Sequence, residues 1–100
     1  MSEIARWTTP TVTYKPSAVP IENVDEIYLV FKIGYREVLR KDKDDAIIDS
    51  NGFTWFLEQQ DTSKLCDVAT LYIDYTSGTS RYTIDPKQYT ITESGIDEVI

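Results

Sequence analysis

The sequence predicts an all-β protein, an immunoglobulin-like antiparallel β-sandwich of six or seven short strands. Three observations carry this. Glu26–Ile33 and Val68–Thr76 alternate apolar and polar residues with the period of two that places successive side chains on opposite faces of a strand. Turn signals at Gly34-Tyr35, Asn51-Gly52 and Ser77-Gly78 cut the chain into short runs. No segment sustains an apolar repeat of helical period, and no internal repeat is present. A small open barrel is the alternative architecture. Cys66 is the only cysteine, so the disulfide of antibody domains cannot form and the likeness to them is architectural.

The central strand is Glu26–Ile33, with Ile27, Leu29, Phe31 and Ile33 on one face and Tyr28, Val30 and Lys32 on the other. Its β-branched and aromatic content suits a half-buried pleated surface. Before it, Ile4–Tyr14 reads as extended. Pro10 lacks an N–H, so this segment is expected as an edge strand or as two short pieces. Pro16 and Pro20 bracket a loop and keep the connector to the central strand from becoming a helix.

After Ile33, Gly34 at the first central position suits a type II′ turn, and the chain returns as Arg36–Asp42 with Val38 facing inward. Lys41–Asp45 is a charged, solvated stretch, followed by a short strand, Ala46–Asp49, of ambiguous register. Asn51-Gly52 predicts a type I′ turn with positive φ at both positions. The strand Phe53–Gln59 then places Phe53, Trp55 and Leu57 on the core face and Thr54, Phe56 and Glu58 on the other.

Asp61 or Thr62 is expected to cap one short helical turn pinned by Leu65. In Val68–Thr76 the inward set is Ala69, Leu71, Ile73 and Tyr75. Ser80–Asp85 and Gln88–Thr92 follow, broken by Pro86, which implies a bulge or an edge. Residues 1–92 form the sandwich domain, and 93–100 form a C-terminal tail ending in apolar Val99 and Ile100.

One hundred residues make one domain with room for a single core. The net charge of −7 disfavours DNA and RNA, which require a basic face, and also anionic membranes. Neither nucleic acid nor membrane is expected as a partner. No apolar run approaches the ~18 residues of a spanning helix, and MSEIARW lacks the pattern of a signal peptide. With one cysteine, the fold does not lean on crosslinks, which fits synthesis in a reducing cytoplasm. Histidine is absent, which removes the Ser–His and Cys–His routes to nucleophilic catalysis and the commonest metal ligand.

Candidate chemistry is sparse. From Ile47 onward, Asp49, Asn51, Gly52 and Glu58 mimic four places of a calcium loop, but its first carboxylate is replaced by Ile47 and a hairpin explains the turn better. Carboxylate pairs of glycosidase type are bound to occur by chance among 17 acids. Cys66, beside Leu65 and Val68, reads as a small buried apolar residue and not as a nucleophile. No catalytic residue, metal ligand or cofactor is therefore expected, and the chain is read as a non-enzyme. The candidate interface residues are Tyr28, Phe56 and Tyr72, which would form one exposed aromatic cluster if their strands are adjacent, together with Val99 and Ile100, which suit strand addition to a neighbour's edge.

Several stretches carry a resemblance: IARWTTPTVTY, VDEIYLVFK, FTWFLEQQDTSKL, VATLYIDY with its TSGTSRY turn, and the ending EVI. Together they resemble small proteins encoded in phages and prophages of Gram-positive bacteria and, more distantly, the all-β N-terminal domain of phage baseplate upper proteins. The resemblance covers most of the chain. It implies a virion structural or assembly protein, a head–tail or baseplate component, made in the bacterial cytoplasm and incorporated in the virion. Its partners would be other virion proteins or itself, as a homo-oligomer. It brings no catalytic residues. Baseplate upper proteins carry a large receptor-facing region that has no counterpart in these 100 residues, so a receptor-binding role does not transfer. The alternative reading is a carbohydrate- or cell-surface-binding sandwich that uses exposed Tyr and Trp.

Overall fold

Strands β3 (Glu26–Ile33) and β7 (Val68–Ser77) lie antiparallel at the centre of the larger of two sheets. Their pairing sets Leu29 opposite Ile73 and Phe31 opposite Leu71, so both apolar stripes fall on one face. This computed structural model describes residues 2–100. The other strands are β1 (Ser2–Ala5), β2 (Thr11–Tyr14), β4 (Arg36–Lys41), β5 (Ile47–Asp49), β6 (Gly52–Phe56), β8 (Ser80–Thr83) and β9 (Lys87–Thr92). A single α-helical turn, α1 (Gln59–Thr62), follows β6.

The large sheet runs β1-β9-β7-β3-β4, with β8 on the upper half of the β7 edge that β9 occupies lower down. The small sheet runs β2-β6-β5. Between them lies one core in which Ile27, Leu29, Phe31, Phe53, Leu65 and Ala69 are fully enclosed. Trp55 is also buried, and its indole N–H donates to the Asp42 carbonyl at 2.9 Å, so it enters the core with its polar atom satisfied.

This is the sandwich that the sequence predicts, and its strand order is that of an immunoglobulin-like domain. A six-stranded sheet built on a central antiparallel pair, with β8 and β9 sharing one edge of β7, faces a three-stranded sheet, and the first strand lies parallel to the last. Antibody domains cross-link their second strand to the strand corresponding to β7. Here Tyr14 of β2 meets Tyr75 of β7 across the interior instead, with ring centroids 6.0 Å apart, and Tyr82 stacks on Tyr75 at 5.0 Å. Burial, reinforced by the Tyr75 side chain, pushes the Tyr14 hydroxyl up to about 12.

The local structure corrects several expectations. There are nine described strands and not six or seven; the opening segment divides into two short pieces, β1 and β2, which join different sheets, and β8 and β9 are separate across Pro86, both as expected. Pro86 occupies the gap where the edge of β7 changes partner. Asn51-Gly52 is not a type I′ turn. Asp49 pairs with Gly52, so the two-residue loop is Ser50-Asn51, and neither residue has positive φ. The Asp49 carboxylate accepts from the Asn51 N–H at 2.8 Å and holds the loop from its side chain.

Gly52 is needed for another reason. Its φ is +112°, and a Cβ would collide with the carbonyl of Tyr14 and lie 2.8 Å from the Lys15 Cα. At Gly34 the expected II′ geometry is present, with φ +61° there and no positive φ at Tyr35.

The cap of α1 is Glu58, one turn before the residues expected. Its carbonyl accepts from the Asp61 N–H at 3.0 Å, while the Asp61 carboxylate accepts from the Glu58 N–H at 2.8 Å. Leu65 pins the turn to the core as expected. The charged stretch contains a 3₁₀ turn, Lys43–Asp45, capped by Asp42 in a reciprocal manner. Cys66 is exposed and not core. Asp67 beside it has φ +54°, and the bend that this makes turns residue 66 outward between buried Leu65 and strand β7.

Candidate interaction surfaces

The five candidate interface residues separate into two groups. Tyr28 and Tyr72 come together on the outer face of the large sheet, because β3 and β7 are neighbours with Tyr72 opposite Val30 and Tyr28 opposite Asp74. Phe56 does not join them. Its strand, β6, belongs to the other sheet, and its ring is 59% exposed on the far side of the molecule. There it borders a shallow groove with Val99, while the Ile100 backbone N–H and C=O bond to the Gln59 side chain at 2.8 and 2.9 Å. The tail therefore folds back on α1, on the Phe56 side, and Val99 and Ile100 remain exposed there.

The face around Tyr28 and Tyr72 is an open basin of about 480 Å³ between β4 and β8. Its charges are spent on one another. Glu37 and Arg40 form a forked ion pair at 2.7 Å, and Arg81 meets Asp74 at 2.7 Å. The Arg40 hydrogen bond holds the Glu37 carboxyl below its usual value. At Asp74, burial works against the charge, but the hydrogen bonds from Arg81 and Thr83, with the charges of Arg81 and Lys32, outweigh it and hold that carboxyl low as well. The tyrosine rings are engaged too. The Arg40 guanidinium lies 5.6 Å from the Tyr28 ring and the Lys32 ammonium 5.2 Å from the Tyr72 ring. The Tyr28 hydroxyl donates to Glu26, and that neighbouring charge, with the hydrogen bond, raises its pKa.

The outer face of the small sheet is different. Over the paired length of β2 and β6, its outward side chains are Thr11, Thr13, Thr54 and Phe56, and β5 adds Ile47, 56% exposed. Among the described strand residues of this face, Asp49, two residues beyond Ile47 at the hairpin end of β5, is the one charge. The Thr13 and Thr54 hydroxyls bond to each other at 3.1 Å across the strands. Ile48, opposite Phe53, turns toward the core yet stays 46% exposed, because β5 is an edge strand.

Between the sheets, a corner directs the first strand away from β2. Trp7 adopts φ +65°, which is costly for an aromatic residue and needs support from its surroundings. Arg6 supplies part of it. Its guanidinium donates to the Ser63 carbonyl at 2.8 Å and pairs with Glu93 at 3.2 Å, while its backbone N–H reaches the Thr92 carbonyl. Thr8 bonds back to Ala5 at 2.6 Å, and the Thr62 hydroxyl donates to the Thr8 carbonyl at 2.8 Å. These bonds hold β1 against β9 and leave β2 with β6 as its one strand neighbour. The corner carries no chemical signature in sequence; the signal that foreshadows it is Pro10, which separates β1 from β2.

Among the described residues, no group of three or more Cys, Asp or Glu is placed to hold a metal ion, and no helix is long and apolar enough to cross a membrane. Asp49 and Glu58, two of the calcium-loop mimics, instead hold the hairpin loop and cap α1. Comparison with models of known protein families, with curated proteins and with solved structures gives no match for this chain.

Proposed function

We propose that this chain is a structural or assembly domain of a phage- or prophage-derived particle, a head–tail or baseplate component acting by protein–protein contact and not by catalysis. The observation that carries the contact reading is the charge-poor small-sheet face, where Thr11, Thr13, Thr54, Phe56 and Ile47 point outward with Asp49 at the hairpin end as the one charge, on a chain of net charge −7. A surface meant only for water would carry more than one of the chain's 27 charged side chains there. The particle is supported by the resemblance of IARWTTPTVTY, VDEIYLVFK and FTWFLEQQDTSKL to small phage proteins. On this reading the chain is made in the bacterial cytoplasm and ends in the virion.

The carbohydrate-binding alternative has less behind it. Stacking on a sugar needs a free aromatic face, and Arg40 and Lys32 lie over Tyr28 and Tyr72. The test is mass spectrometry on particles induced from the source strain and purified on a density gradient. Peptides of this chain at a fixed ratio to the major capsid or tail protein support the reading. Recovery solely in the soluble lysate overturns it.

A further inference from the structure

The strand edges of this molecule are not alike. The free edge of the large sheet, β4, carries Arg36, Glu37, Arg40 and Lys41, a charged border of the kind that blocks pairing with another chain. β1 carries Glu3, and β5 is three residues long and ends at Asp49. β2 alone among the sheet-terminal strands is without charge: Thr11, Val12, Thr13 and Tyr14. In immunoglobulin-like sandwiches the first strand commonly lies beside the second in the same sheet. Here the Arg6–Trp7 corner takes that strand to β9, and the place beside β2 has no strand among the described residues.

The hydrogen-bond phase of β2 follows from two contacts. The Leu57 N–H donates to the Pro10 carbonyl at 3.0 Å, and antiparallel pairs alternate between bonded and non-bonded. Val12–Trp55 and Tyr14–Phe53 are therefore bonded pairs, and Thr11–Phe56 and Thr13–Thr54 are not. The close approach of the Thr13 and Thr54 hydroxyls agrees, since non-bonded pairs stand nearer together. The N–H and C=O groups of Thr11 and Thr13 thus point away from β6, out of the free edge, and both residues are exposed.

We propose that this edge pairs with the same edge of a second copy of the chain, antiparallel, about a two-fold axis at Val12. Thr11 of one copy then stands opposite Thr13 of the other, twice, and each of these is a bonded pair. Val12 meets Val12 as the non-bonded pair between them. Every outward N–H and C=O of both residues is satisfied, and Pro10, which has no N–H to offer, falls opposite Tyr14 where none is needed. The two three-stranded sheets become one six-stranded sheet.

The register suits a second copy at this edge, because the outward Thr11 and Thr13 lie symmetrically about Val12 and each can face the other. Two chains of −7 each repel over most of their surface, and β2 lets them meet with no carboxylate in the ladder. The edge is short, so the pairing is weak in dilute solution and suited to assemblies in which many such contacts act together. The inference rests on the contact reading above but not on the particle, since self-association is measured on purified protein.

The experiment is sedimentation of the purified chain over a concentration series, beside T11E/T13E and T11K/T13E, with thermal unfolding of each to show that it is folded. The wild type is expected to pass reversibly from 11.5 kDa to twice that mass. T11E/T13E sets like charges directly opposite in both bonded pairs and is expected to weaken association by roughly tenfold or more. T11K/T13E sets Lys opposite Glu twice and is expected to restore or exceed wild-type association. A wild type that stays monomeric at millimolar concentration overturns the proposal. So does association that T11E/T13E leaves unchanged, or that both variants weaken alike.

Discussion

The two sheets face the same solvent with opposite surfaces. On the large sheet, Arg40 covers Tyr28, Lys32 covers Tyr72, Arg81 binds Asp74, and the free strand β4 is charged. Most of its outward charges are engaged with one another or with aromatic rings, and the charged border of β4 discourages strand addition. On the small sheet, threonines and Phe56 face outward, and β2 offers unpaired backbone at an uncharged edge. The lesson is that exposure of aromatic residues alone does not mark an interface. The more conspicuous tyrosines lie on the closed surface, and the open one is marked by sparse charge and by the missing strand neighbour of β2.

This contrast is sharpened by removing what the sheets share. Trp55 closes the core between them and donates to Asp42. Trp55→Ala is expected to cost about 3–5 kcal/mol in urea unfolding, enough to take a domain of this size to the margin of stability. Gly52→Ala strikes the small sheet alone, where β6 passes the backbone of Tyr14 and Lys15. A loss of ~1–3 kcal/mol is expected from strain at positive φ, with the register of β2 on β6 disturbed. The amide exchange of Val12 should then rise while that of Leu29 and Leu71 holds.

Alkali tests the seam. With Tyr14 held up to about 12 against an ordinary ~10, its contribution to stability is complete below the ordinary value and is lost as pH rises through the folded one. Tyr14→Phe is expected to remove a phenolate step near pH 12 from the ultraviolet titration and to flatten the alkaline fall in melting temperature.

The smallest effect belongs to the closed surface. Asp74 is partly exposed, so Asp74→Asn is expected to cost less than ~1 kcal/mol. Because its carboxyl is held low, that contribution is present above the ordinary carboxylate value and disappears as acid takes the pH through the folded one. Melting temperatures of wild type and variant should converge there. A larger loss, or one that persists in acid, would mean that the outer face of the large sheet carries more than its own paired charges.

Much of the large sheet was legible because its strands announce their faces. In Glu26–Ile33 and Val68–Ser77, every second residue from Ile27 to Phe31 and from Ala69 to Tyr75 is buried as the alternation requires. The small sheet was harder to read. Its strands have three to five residues, and nothing local tells Thr11–Tyr14 that its partner is β6 and not the preceding segment. The grouping of Phe56 with Tyr28 and Tyr72 failed for the same reason: facing away from an apolar stripe is visible in sequence, but which of two sheets it faces away from is not. Gly52 was recognised as special for its turn, whereas its cause is a close backbone approach from residues some forty positions earlier. Cys66 was misplaced because the positive φ of Asp67 has no marker in that residue type strong enough to read.

The parallel pairing of β1 with β9 has a bearing on the order in which the molecule can form. Ser2 lies against Tyr89 and Ala5 against Thr92, so β1 must wait for β9, far along the chain, to find its partner. The hairpins β3–β4, β5–β6 and β7–β8 close over short loops and can form as each is made, but the loop joining β1 to β9 spans nearly the whole chain and closes late. Until it does, the nascent chain carries unpaired backbone at β1 in addition to the free edge of β2. Crowded synthesis of many copies is then the condition under which premature strand exchange between chains competes most strongly with folding.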